Sequence, residues 1–153
     1  MSITIQEMIA SSTQNALDEL TKAFLNLPED KRDWSPNEKA RTAINQMAEC
    51  AILNGYTVEL ILSKVWPSSG YDAYTAEVKR VSESWPLLEE TLKKNTACLI
   101  ETIKEVRDAD LEIMIPMPWG AKTTYETMQY PCWNMSYHLG QINYIASILG
   151  TLK

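Results

Sequence analysis

Histidine occurs once in this sequence and glycine five times. Nowhere do the roughly 18 apolar residues needed for a membrane span run together. Basic charge is scarce too. Fourteen Lys and Arg are scattered among twenty Asp and Glu without a basic cluster, and the formal net charge is −6. Such a chain has no general attraction for phosphate backbones or anionic lipid, so neither a nucleic-acid nor a membrane partner is expected. The three cysteines, Cys50, Cys98 and Cys132, are odd in number, far apart and free of any Cys-x-x-Cys pair. Reduced thiols in a cytoplasmic protein are the expectation. Residues 1–10 lack the basic flank and long apolar stretch of a signal peptide. Few glycines and seven prolines argue against repeats.

What is present is ordinary globular material, 45% apolar and 22% charged, in 153 residues. That length suits one core, so a single domain over 1–153 is expected. Four long segments show helical spacing. Ile5, Ile9, Ala16, Leu20, Phe24 and Leu27 share a face, and Pro28 ends the segment. Ser35, Pro36 and Glu38 resemble a capped start for a second helix reaching about Val65. Asp72 to Arg107 carries a third apolar seam, and Pro86 predicts a break near Ser84. Between Glu112 and Tyr125, two prolines and Trp119-Gly120 predict a loop or short hairpin. Its Met and Trp side chains are candidates for a lid over one end. A last helix from about Thr124 to Leu149, stopped by Gly150, completes an all-α four-helix bundle.

Charge is missing in a more informative way from two of these helices. From Thr42 to Val58 the only formally charged residue is Glu49, and from Thr127 to Leu152 there is none. The single histidine, His138, lies in the second of these stretches. Both helices therefore read as mostly interior. A buried carboxylate must be paired, hydrogen-bonded or bound to a cation. Helical spacing aligns Asn45, Glu49, Ile52, Tyr56 and Leu60 on one stripe and Asn134, His138, Gln141, Ile145 and Leu149 on another. If the stripes face each other, Glu49, Asn134 and His138 converge. Glu49 and His138 could equally form a plain structural ion pair.

The run Asn134-Met-Ser-Tyr-His138-Leu-Gly-Gln-Ile142, continuing to Leu149-Gly150, resembles the last helix of the DinB/YfiT-like superfamily. That helix typically carries His-x-x-x-His, then Gly-Gln-Ile or Gly-Gln-Leu. Trp34-Ser-Pro36, the stretch Arg41 to Ala48, Asp110-Leu111 and Pro118-Trp-Gly120 follow the family's order. The resemblance implies a four-helix bundle and, in many members, a divalent metal held by three histidines. Some relatives are thought to be thiol-dependent S-transferases. The three ligand positions fall here on Glu49, Asn134 and His138, so two of the three histidines are replaced. An altered site for zinc, nickel or manganese is implied, weaker than three imidazoles. Glu49 would be a ligand or general base, and His138 a ligand or proton carrier. Gln141 would support His138, and Gly140 would permit close helix packing.

Cys132, just past Pro131, is a weaker candidate nucleophile at a helix start, with His138 too far along the helix to serve as its base. Tyr56, Tyr137, Tyr144, Trp119 and Trp133 read as core or pocket lining. Two functions remain open on sequence alone. One is a metal-dependent transferase or hydrolase of a small molecule. The other is a non-catalytic bundle, either a small-ligand binder or a homodimeric stress-response protein.

Overall fold

The computed structural model describes residues 2–153. Helix α1 (Ile5–Leu25) begins at Thr4, whose hydroxyl accepts from the Glu7 amide while the Glu7 carboxylate accepts from the Thr4 amide. That reciprocal cap satisfies two donors that a helix start would otherwise leave orphaned. Helix α2 (Ala43–Ser63) starts from Thr42 and not from Ser35. The Asn37 side chain accepts from the Lys39 and Ala40 amides, and the Ser35 hydroxyl donates to the Asn37 and Ala40 carbonyls. These local bonds hold residues 35–40 in turns and postpone the helix.

The third seam is indeed broken. Helix α3 (Gly70–Ser82) ends before an extended Ser84, and α4 (Trp85–Glu105) restarts with Pro86 in its first turn, where no amide hydrogen is missed. A two-residue antiparallel hairpin follows, β1 (Met114–Ile115) with β2 (Lys122–Thr123). Helix α5 (Thr124–Ile148) leaves it directly, started by a second reciprocal cap between Thr123 and Glu126. Gly150, at φ +69°, turns the chain off its end.

Helices α1 and α2 each pack on both α4 and α5, which makes the four-helix bundle, and α3 lies against α2 and α4. The core has two parts. The larger surrounds Leu20, Phe24, Met47, Leu88, Met135 and Ile142, and the smaller surrounds Ile61, Leu99, Ile103 and Met128. Burial on this scale, at about 25 cal/mol per Å² of apolar surface, is the main force holding the helices together.

The tightest helix approach lies at Gly55 and not at Gly140. A methyl at Gly140 would meet nothing within 4 Å, because that position faces outward. At Gly55 it would stand 2.7 Å from the Asn95 amide nitrogen, which donates to the Ala51 carbonyl at 2.8 Å. Gly55→Ala is therefore expected to destabilise the protein by about 1–3 kcal/mol. Denaturant unfolding checks this, and Asn95→Ala in the same chain should recover part of the loss.

Candidate functional site

Glu49 and His138 meet, as their isolation in two nearly uncharged helices implies. The imidazole Nε2 lies 3.1 Å from Glu49 Oε1, with His138 only 2% exposed and the Glu49 side chain 22% exposed. Arg41, just before α2, takes the other carboxylate oxygen and steadies itself on the Asn45 side chain at 2.8 Å. Arg41 precedes Asn45 and Glu49 by four and eight residues. That spacing was visible in the sequence, but Arg41 was not singled out.

On the far side of the ring, Nδ1 faces the amide oxygens of Gln46 at 2.9 Å and Gln141 at 2.8 Å. Gln141 thus supports His138 as its spacing implied, and Gln46 was missed. Gln46 also donates its amide group to the Arg41 carbonyl at 3.2 Å, which fixes the oxygen toward His138. An oxygen anchored there is served by a proton on Nδ1, and the carboxylate opposite is served by one on Nε2. The arrangement is a closed line, Arg41 to Glu49 to His138 to the two glutamines.

Asn134 does not join it. Its amide is 3% exposed and donates to the Cys50 sulfur at 3.6 Å, with no hydrogen bond to either Glu49 or His138. Among the described residues no cluster of three or more His, Cys, Asp or Glu is placed to hold a metal ion. The donor chemistry is also unfavourable. One Glu49 oxygen serves a guanidinium, the imidazole nitrogen beside the other faces a carboxylate, and the third position is a neutral amide turned away. These residues do not fit the three-ligand centre that the resemblance implies.

Burial pushes the Glu49 carboxyl up, but the hydrogen bond from His138 and the charge of Arg41 outweigh it and leave the group below its ordinary value. A carboxylate so stabilised is a weak general base. Cys50 is fully buried, and its thiol is pushed up. Cys132 lies more than two turns into α5, beyond the reach of the helix start, and burial pushes its thiol up as well. Neither suits a nucleophile.

Glu49 also stands in the wall of a cavity of about 410 Å³, open on one side, between α2, α3, the hairpin and α5. Tyr56 and Trp119 line it, as expected, and Met117 with Trp119 bring the hairpin over it. Trp66, Tyr71 and Tyr74 also line it, and they gave no signal in the sequence because only the fold carries the α2–α3 connection there. Tyr137, Tyr144 and Trp133 are neither core nor lining. They project from the exposed face of α5, each about half exposed or more, in line with Tyr130, which does reach the cavity wall. The uncharged stretch of α5 is therefore only partly interior.

The sequence matches no family model and no curated protein sequence. The fold is shared with solved structures. A DinB-like protein, YjoA from Bacillus subtilis, has a TM-score of 0.67 at 12% identity, over 94% of this chain and 92% of that one. An uncharacterized protein from Clostridium difficile 630 has a TM-score of 0.74 at 15% identity, over 97% and 99%. This chain has the DinB-like fold, an all-α bundle.

The Glu49 carboxyl titrates below its ordinary value in the folded chain, so its stabilising contribution is complete above the ordinary carboxylate range. It is lost as pH falls through the lowered value. Glu49→Gln should therefore be less stable than the parent at neutral pH, with the gap narrowing on acidification below about 4. Urea unfolding at pH 7 and pH 3.5 measures it. A gap that widens in acid would contradict the assignment.

Proposed function

We propose that this DinB-like protein binds a small organic molecule in the cavity beside Glu49. The observation that supports this most is the placement of the Glu49 carboxylate in the wall of a mainly aromatic and aliphatic cleft, whose other charged groups, Lys122 and Glu126, pair with each other. Ligand sites commonly combine a largely apolar wall with a few fixed polar groups. Arg41 and His138 hold the carboxylate in one position, so it is pre-organised before a ligand arrives. In this reading the pair positions a recognition group, and no resident metal is required.

A screen of small organic molecules by thermal shift tests the proposal. Leu53 lines the cavity at its α2 side. Leu53→Trp should fill the space and abolish the shifts given by the parent protein, and the same hits should appear with zinc or with EDTA. Hits retained by a well-folded Leu53→Trp protein would place binding elsewhere. Hits that need zinc would restore the metal-dependent enzyme.

The homodimer has its own support, on the exposed stripe of α5 that runs on from the cavity residue Tyr130. Tyr130, Trp133 and Tyr137 stack there with ring centroids 5.4 Å apart, and Tyr144 and Ile148 continue the exposed stripe. No charged residue lies on this face from Thr127 onward, in a chain of net charge −6. A second copy is the partner in our reading, because two such faces meet without the like-charge repulsion found elsewhere on the surface. Sedimentation should show a dimer that Trp133→Lys converts to monomer. A parent protein that sediments as a monomer throughout would end this reading.

A further inference from the structure

Six aromatic side chains from five parts of the chain line the cavity beside Glu49: Tyr56 from α2, Trp66 from the α2–α3 connection, Tyr71 and Tyr74 from α3, Trp119 from the hairpin and Tyr130 from α5. Trp66 and Trp119 meet edge to face with centroids 4.9 Å apart, and Tyr56 and Tyr74 do the same at 5.3 Å. Tyr71 stacks on Tyr74 at 6.0 Å. The rings belong to separate elements and turn in different directions, so the wall offers several π faces and edges.

The charges in the same wall are two carboxylates, Glu49 and Glu126, and one ammonium, Lys122. Lys122 lies 3.4 Å from Glu126 and is thereby partly neutralised. Arg41 is not in the lining, and its guanidinium is committed to Glu49 and Asn45. An anion entering the cavity would find no free cation there. Pro131 has no amide hydrogen to give the Thr127 carbonyl, and Thr127 is also in the wall. The phenols of Tyr74 and Tyr130 are both pushed up, by burial first and then by the negative charge of Glu49.

Aromatic faces carry negative electrostatic potential and attract cations, most strongly where water is excluded. We infer that the cavity takes an organic cation, a quaternary or protonated amine carried on an apolar or aromatic body. This inference rests on the ligand-pocket reading above. The rings would surround the cationic head, with Glu49, whose charge is shared with Arg41 and His138, as a partial counter-charge and the tyrosine hydroxyls available to polar parts of the body. The volume is larger than an ammonium head alone needs, which leaves room for the attached body.

Three probes separate the alternatives by calorimetry on the full chain: benzyltrimethylammonium, benzyl alcohol and phenylacetate. The cation should bind about ten-fold or more tightly than the neutral and anionic probes. Its affinity should drop about two- to five-fold in Trp119→Leu and in Tyr71→Leu, and should fall in Glu49→Gln. Trp119 and Tyr71 are 67% and 72% exposed, so their replacement leaves the core intact, which circular dichroism verifies. If benzyl alcohol or phenylacetate binds as well as the cation, with the same dependence on Trp119, the charge preference is overturned while the ligand pocket stands. If none of the three binds, both fall.

Discussion

The structure is organised around one carboxylate that water cannot fully reach. Moving Glu49 into the side of the bundle without partners would cost several kcal/mol, and three side chains remove that cost. Arg41 supplies charge from the turn before α2, His138 supplies a donor from α5, and Gln46 ties the two together by touching both. Two of these contacts join α2 to α5, and two join α2 to the turn before it. The line therefore fixes the register of α2 against α5 and pins the loop before α2, while the surrounding aliphatic core supplies most of the stabilising burial.

The same carboxylate is half of the cavity's character. Its partners stand behind it, and its remaining exposure looks toward rings contributed by α2, α3, the hairpin and α5. A carboxylate held this firmly gives up basicity and gains definition of position. It is better suited to recognition than to abstracting protons.

Much of this was written in the sequence. The bundle followed from apolar periodicity, the α3–α4 break from Pro86, and the hairpin from two prolines and Trp119-Gly120. The meeting of Glu49 and His138 followed from the absence of other charge around them. Asn134 was misjudged because it shares the His138 stripe, yet one turn of offset aims its amide at Cys50. The start of α2 was misplaced by the Ser35-Pro36 signal, where turns bonded by Asn37 took the place of a helix start, and Arg41 went unnoticed because a basic residue near a helix start is ordinarily solvated. The ring of aromatics was invisible for a simpler reason. Tyr56 and Trp119 were expected as lining, but Trp66, Tyr71 and Tyr74 are brought to them by tertiary packing, and no local periodicity records that.

Glu126 carries two duties at once. Its carboxylate closes the first turn of α5 by accepting from the Thr123 amide, and it also stands at the cavity wall beside Lys122. A replacement of Glu126 that cannot accept from the Thr123 amide would fray the helix bearing His138, so the charge of that rim and the start of α5 are tied through one side chain. Tyr71 and Trp119, both largely exposed, carry no such duty, and the wall can change there without loosening the frame.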